Sequence, residues 1–266
     1  LQAANFYSVF VGIESPRKQS LTEAGKHQNT REDVLEDIKR IQSYHISVVA
    51  GMIVGFDSDD KFIFKETYDF LQELGIPFTT CGTLMALPNT SLLKRLKSEG
   101  RLLDLEWTEM NGHGASDCNF VPKNMTLEEL HKGYNWLSRC LYRYDSYADR
   151  LATALSRFRN RNKEHTRANL DMKFLSVLIK VFGYYTLTFD FKRIKYFYGT
   201  LWRVATNGPF SVGKWLEFFR WIATHRAFRK YVMETQGDPE GMDPNAPPFR
   251  NETGNSSEVM ELPDEA

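Results

Sequence analysis

The chain has 266 residues, 42% hydrophobic and 26% charged, enough to bury a sizeable core in one large or two small domains. Its formal net charge of zero hides three blocks: 16 Lys and Arg against 21 Asp and Glu over residues 1–149, 17 against 4 over 150–230, and 1 against 9 over 231–266. No apolar run reaches the length of a membrane span, and the three cysteines (Cys81, Cys118, Cys140) stand too far apart for a metal-ligand pair or a disulfide framework. Unpaired thiols of this kind fit a reducing compartment, hence the cytoplasm.

The chain opens on Leu1 and enters an apolar run at once, without a basic leader or cleavage site, so it reads as a fragment that begins inside a fold. Residues 8–14 (SVFVGIE) predict a buried strand. A loop follows, then a helix from about Thr30, where Thr30 and Asp33 make an approximate capping box and Val34, Ile38 and Ile41 an apolar stripe. Residues 46–54 (ISVVAGMIV) predict a second strand, closed by Gly55. A second helix runs from about Asp60 and stops at Gly75 and Pro77. Residues 78–87 predict a third strand ended by Pro88, and a third helix spans about Thr90 to Glu99. This alternation is the βαβ rhythm of a parallel sheet, and the lack of polar alternation along its strands predicts cover on both faces. Three such units suit the back half of a (β/α) barrel.

From about Leu127 the period becomes helical through residue 158, followed by a basic linker at 157–167 and three aromatic-rich helices at 170–185, 190–206 and 212–233, divided around Gly183 and at Asn207-Gly208-Pro209. The composition after Gln236 predicts a disordered acidic tail over 237–266. The expected organisation is therefore a half barrel over 1–104, an α-helical domain over 105–236 that is basic and aromatic-rich from 150, and the tail.

Ligands of parallel α/β folds gather at the C-terminal ends of strands. Three such ends carry unusual residues: Gly12-Ile13-Glu14-Ser15, Gly51-Met52-Ile53-Val54-Gly55 and Ala86-Leu87-Pro88. Glycines in a strand let a flat ligand lie on bare backbone, and a terminal carboxylate can accept hydrogen bonds from ribose hydroxyls or an ammonium group. Taken singly, each motif reads more readily as structure: a strand glycine as a bulge or tight packing contact, and Glu14 as a turn cap or a partner of Lys18. His113, Asp117 and Cys118 cluster in the polar loop NGHGASDCNF, but without a fourth ligand or suitable spacing they read as an ordinary loop, and no metal site is assigned. Asn251 and Asn255 begin glycosylation sequons to which no secretory signal gives meaning.

The order and spacing of the three strand ends resemble the C-terminal half of the radical S-adenosylmethionine barrel of cobalamin-binding radical SAM proteins. FVGIES at 10–15 is similar to that family's fourth strand, GMIVGFDSD at 51–59 to its fifth, and GTLMALPNTSLLKRLKSEGRL at 82–102 to its sixth strand and helix. NFVPKNMTLEELHKGY at 119–134 looks like the start of the domain that follows the barrel in hopanoid methylase-like proteins. The resemblance implies that Glu14, with Ser15 beside it, contacts the ribose or amino group of S-adenosylmethionine, and that Gly51, Ile53, Gly55, Leu87 and Pro88 line the adenine. The fifth-strand motif departs from the family at Ser58, where glutamate is common, so no acid role is given to it. The resemblance also implies a [4Fe–4S] cluster held upstream on a Cys-x3-Cys-x2-Cys loop, cobalamin in a domain further upstream, and methylation of a lipid-like or other unactivated substrate. The fragment alone is expected to be inactive, with strand 8–14 an open edge where the rest of the barrel would pair. The catalytic residues and the substrate are not legible.

The basic aromatic region reads in two ways: as a bundle with a solvated basic face, or as a module that docks on an anionic membrane or a protein partner through residues 170–232. No recognition motif supports nucleic-acid binding.

Overall fold

The computed structural model describes residues 4, 6–26, 31–103, 118–159, 172–207 and 211–249. Three parallel strands, β1 (Ser8–Glu14), β2 (Ser47–Val54) and β3 (Phe78–Thr83), lie in sequence order in one sheet. Helices α2 (Arg31–Ser43) and α3 (Ile63–Leu74) cross between them. A short helix, α1 (Lys18–Glu23), interrupts the loop expected after β1, and α4 (Ser91–Ser98) follows β3. The capping residue expected at Thr30 lies outside the described residues, whereas the caps of α4 and α3 are those expected. The Thr90 hydroxyl accepts from the Leu93 amide at 3.2 Å, and Gly75 takes the left-handed conformation at the end of α3.

The helical period of 127–158 is two helices, α5 (Leu127–Leu141) and α6 (Tyr144–Ser156), because the chain turns at Tyr142-Arg143. Thr126 and Glu129 close a reciprocal capping box at the start of α5. The last three helices are α7 (Met172–Thr186), α8 (Phe191–Thr206) and α9 (Val212–Thr235). Gly183 lies inside α7, and the turn comes at Leu187–Asp190, where Asp190 caps α8 through the Arg193 amide. Most of the expected 157–167 linker lies outside the described residues, as do His27, His113, Asp117, His165 and both sequons.

Two expectations change. Among the described residues, the sheet is covered on one face only. On one face of β2, Val48, Ala50, Met52 and Val54 are fully buried with Ile38, Ile63 and Leu71. On the other, Phe10 is 65% exposed, Thr80 is exposed, and a Cβ placed on Gly82 would meet nothing within 4 Å. Glycine stands on this open face where an open face usually carries polar residues, so the sequence lacks alternation without the face being covered.

The tail expected to be disordered from 237 is built in as far as 249. Asp238 caps a 3-10 turn at Pro239–Gly241, and Arg139 of α5 donates to the Asp238 carbonyl at 2.7 Å. Arg229 of α9 pairs with Glu240 at 3.1 Å, Trp136 donates to the Asp243 carbonyl, and Phe249 packs near Phe64. Arginines of the helices thus recruit the acidic segment, which composition alone cannot show. Residues 250–266 lie outside the described residues.

The helical region shares one hydrophobic core with the sheet. Gly133 on α5 makes room for Phe64 of α3, since a Cβ there would lie 2.0 Å from the ring. Along β3, the Tyr142 and Tyr134 hydroxyls donate to the carbonyls of Thr79 (3.1 Å) and Cys81 (2.7 Å), which face away from β2. These tyrosines satisfy the edge that a further strand would otherwise pair. Helix α9 meets the opposite, N-terminal end of the strands, where Ser47 accepts from Trp221 at 3.0 Å and donates to Glu217 at 2.9 Å. The aromatic bundle is therefore built onto the end of the sheet opposite the C-terminal ends of the strands.

Candidate functional site

A cavity of about 750 Å3 opens at the C-terminal ends of the strands, lined by Glu14 after β1, Ile53 and Phe56 at the end of β2, Leu84 after β3 and Leu92 of α4. Charged side chains on its wall are Glu23, Lys26, Asp57, Arg95 and Lys123. Half of its lining residues are charged, and Ala24, Ile53, Phe56, Leu84 and Leu92 supply the apolar part of the wall.

Glu14 is the most constrained of these. The β1–β2 register shifts between Gly12 and Glu14, and Glu14 takes a φ of 73°, a left-handed backbone that a non-glycine residue rarely holds. The kink brings its carboxylate back over Gly12: a Cβ at Gly12 would lie 2.5 Å from the Glu14 Oε1. Lys26 Nζ approaches the same oxygen at 3.5 Å, so the pairing is with Lys26 and not Lys18. Strain of this kind collects at ligand sites. Glycine at 12 thus serves the carboxylate of Glu14.

The loop after β2 is held by three acids in GFDSDD. Asp59 is fully buried; one carboxylate oxygen accepts from the amides of Gly55 (2.9 Å) and Phe56 (3.0 Å), the other from the Ser20 hydroxyl (2.7 Å). Burial pushes the Asp59 carboxyl up to about 6 in spite of those donors. Burial would also raise Asp57, but hydrogen bonds from Arg101 (2.6 Å) and Arg95 outweigh it and hold Asp57 below the usual carboxylate range. Asp60 accepts from Arg17 at 2.8 Å, and the same guanidinium grips Glu66 of α3 at 2.6 and 2.7 Å. Glu23 of α1 accepts from the amides of Asp57 and Ser58.

The loop after β3 is fixed from a distance in sequence. The Asn119 side-chain amide donates to the Ala86 carbonyl at 3.0 Å and accepts from the Ala86 amide at 2.9 Å, standing in for a neighbouring strand. Asn124 donates to the Asp57 carbonyl at 2.7 Å. Two asparagines of NFVPKN thereby tie the appended region to two cavity loops.

Of the residues expected at the site, Glu14 and Ile53 line the cavity. Ser15 is buried beneath it, accepting from the Arg17 amide at 3.2 Å. Gly51 lies under the Phe10 ring, and Gly55, at φ 98°, serves the Asp59 loop and packs on Leu130. Leu87 and Pro88 are exposed on the loop beyond, while Leu84 lines the cavity in their stead. Sequence reasoning passed over Phe56, Lys26, Asp59 and Asn119. Only Asp59 left a signal, as one of three closely spaced acids after a glycine-closed strand.

The cysteines are thiols in three separate places. Burial pushes Cys118 up to about 11 and Cys140 to about 12, and the described residues contain no group of metal-ligating side chains. They do not fit an iron–sulfur cluster. No helix among the described residues is long and apolar enough to cross a membrane.

A family model described as "Domain of unknown function (DUF4070)" matches residues 90–240, which begins at the cap of α4 and ends in the 3-10 turn after α9. The chain belongs to this family. It is the domain that follows the barrel in cobalamin-binding-type radical SAM methylases, and with the β/α units before it the chain has a hopanoid-methylase-like C-terminal half. The chain is similar to an uncharacterized methyltransferase of Synechocystis sp., 37% identical over 145 residues, 54% of this chain and 26% of that protein. It is 38% identical over 111 residues to the hopanoid C-2 methylase of Rhodopseudomonas palustris, 42% of this chain and 21% of that protein. The bacteriochlorophyllide d C-12(1)-methyltransferase of Chlorobaculum tepidum is 25% identical over 141 residues, 53% of this chain and 30% of that protein. The DUF4070 chain thus spans between a fifth and a third of the length of these curated relatives. All three relatives are methyltransferases or methylases by name.

Proposed function

We propose that this chain supplies the S-adenosylmethionine-binding wall of a radical SAM methylase. The observation that carries the reading is Glu14, held in a left-handed kink at the strand ends with its carboxylate folded over Gly12 in the cavity. Its acceptor oxygens suit the ribose hydroxyls or the ammonium group of S-adenosylmethionine. Ile53, Leu84 and Phe56 offer apolar flanks for the adenine, and Lys26 balances the charge of Glu14 and suits the carboxylate of the methionine part. Of the residues expected from the sequence, Glu14 and Ile53 are the direct contacts. Ser15, Gly51 and Gly55 shape the wall behind them, and Leu87 and Pro88 lie exposed on the loop beyond.

Within the whole polypeptide, the chemistry is reductive cleavage of S-adenosylmethionine at a [4Fe–4S] cluster, leading to cobalamin-dependent methylation of a lipid-like or other unactivated substrate. The cluster ligands and the cobalamin site come from outside this chain, and no step of that chemistry is assigned to its residues.

Equilibrium dialysis of the full polypeptide against labelled S-adenosylmethionine tests the reading. Glu14→Gln and Gly12→Val are both expected to weaken binding by about tenfold or more, the second by displacing the Glu14 carboxylate. Unchanged binding in Glu14→Gln would refute it.

A further inference from the structure

The turn between α7 and α8 and the first residue of α8 present three large apolar side chains that stand almost wholly exposed among the described residues. Leu187 is 86%, Phe189 98% and Phe191 80% exposed. They continue onto one face of the hairpin. Ile179 on α7 is exposed, and Trp202, three turns along α8 from Phe191, is 71% exposed. The two stripes adjoin, since the Thr186 hydroxyl meets the Tyr198 hydroxyl at 3.1 Å. Scattered exposed apolar residues are ordinary, but a contiguous aromatic tip marks a surface that is covered in use.

Charge decides what covers it. Lys180, Lys192 and Lys195 are exposed on and beside the same stripes, and no carboxylate among the described residues pairs with them. The only acid in the turn, Asp190, caps α8 and pairs with Arg193. An apolar tip collared by lysines matches the boundary between acyl chains and anionic headgroups, where aromatic rings insert and ammonium groups stay at the phosphate level. The hairpin is carried on α6 and α9, and α9 sits at the N-terminal ends of the strands. The surface is therefore independent of the cavity.

We propose that the α7–α8 hairpin docks this protein on an anionic phospholipid bilayer, with Leu187, Phe189 and Phe191 inserted at the interface.

The 266-residue chain is sedimented with vesicles of phosphatidylcholine alone and of phosphatidylcholine with phosphatidylglycerol. It is expected to bind the anionic vesicles and to be released as salt is raised. The triple variant Leu187→Ser, Phe189→Ser, Phe191→Ser is expected to lose binding by about tenfold or more while keeping the wild-type circular dichroism and melting curve, because these side chains hold no core together. Should the triple variant misfold, Phe189→Ser alone, at the most exposed of the three positions, carries the test with a smaller loss. Charge reversal at Lys180, Lys192 and Lys195 is expected to abolish the preference for anionic vesicles. No binding by the wild type, equal binding to neutral vesicles, or full binding by the folded serine variants would overturn the proposal. So would a concentration-dependent dimer that the serine variants dissolve, since the occupant would then be a second copy of the chain.

Discussion

Asp59 gives the sharpest test of how the site is built, because its burden and its benefit separate with pH. Its carboxylate is the acceptor for two buried amides and a buried hydroxyl, at 2.7 to 3.0 Å. Asp59→Ala orphans those donors, and at about 1 to 3 kcal/mol for a buried unsatisfied group, partly offset by removing a buried charge, the expected loss is about 2 to 4 kcal/mol at neutral pH. Asp59→Asn keeps an acceptor toward Gly55 and Phe56, and Ser20 can turn its proton to Ser58, whose hydroxyl lies 3.0 Å away. That neutral variant is expected to match the wild type to within about 1 kcal/mol near pH 4, where the wild-type carboxyl is protonated, and to be the more stable of the two at pH 7.

The folded carboxyl titrates near 6, above the unfolded value of 3.8. A raised folded value means that folding favours the protonated form. This contribution is fully present below about pH 4 and is lost as pH rises through 6, and the gap between 3.8 and about 6 corresponds to about 3 kcal/mol. Urea unfolding at a series of pH values between 4 and 7 should therefore show the wild type losing up to about 3 kcal/mol more than Asp59→Asn across that window. Parallel wild-type and Asp59→Asn profiles, or an Asp59→Ala variant as stable as the wild type, would refute the reasoning.

Two further expectations concern the junction between the sheet and the appended helices. Gly133→Ala puts a methyl group 2.0 Å from the Phe64 ring, so α3 and α5 must part, and chemical denaturation should show a loss of about 2 to 3 kcal/mol despite the better helix propensity of alanine. Arg150 is fully buried and pairs with no carboxylate among the described residues, donating instead to the carbonyls of Ile76 (2.9 Å) and Leu141 and to the Gln72 side chain. Arg150→Met is expected to lower stability by about 2 to 4 kcal/mol, measured by the same method, and a neutral result would mean that these carbonyls find other donors.

Much of the architecture was legible because it follows from local chemistry. Apolar runs of strand length, Thr90 as a cap, and Gly75 as a stop placed the strands and helices within a few residues. Gly183 misled: within α7 a Cβ there would meet nothing, so this glycine has no conformational task and marks no break. The open sheet face misled for a related reason, since Gly12, Gly51 and Gly82 carry no side chain whose polarity could announce solvent.

The lining of the candidate cavity was partly legible. Glu14 and Ile53 line it and could be named because both sit at the end of a strand, where the fold class puts ligands. Lys26, Leu84 and Asn119 could not, because each is defined by what it meets across a loop.

The sequence by itself determined the parallel β/α order, the carboxylate at the end of the first strand, and the division of charge into a basic middle and acidic ends. These depend on neighbours along the chain and on composition, which need no coordinates. Tertiary structure alone decided that Glu14 folds over Gly12, that Asp59 holds the loop beneath the cavity, that arginines hold residues 237–249 to the helices, and that the aromatic helices pack at the end of the sheet away from the cavity. Each of these is a contact between segments whose separation in sequence carries no information about their distance in space, so it exists only once the chain has closed on itself.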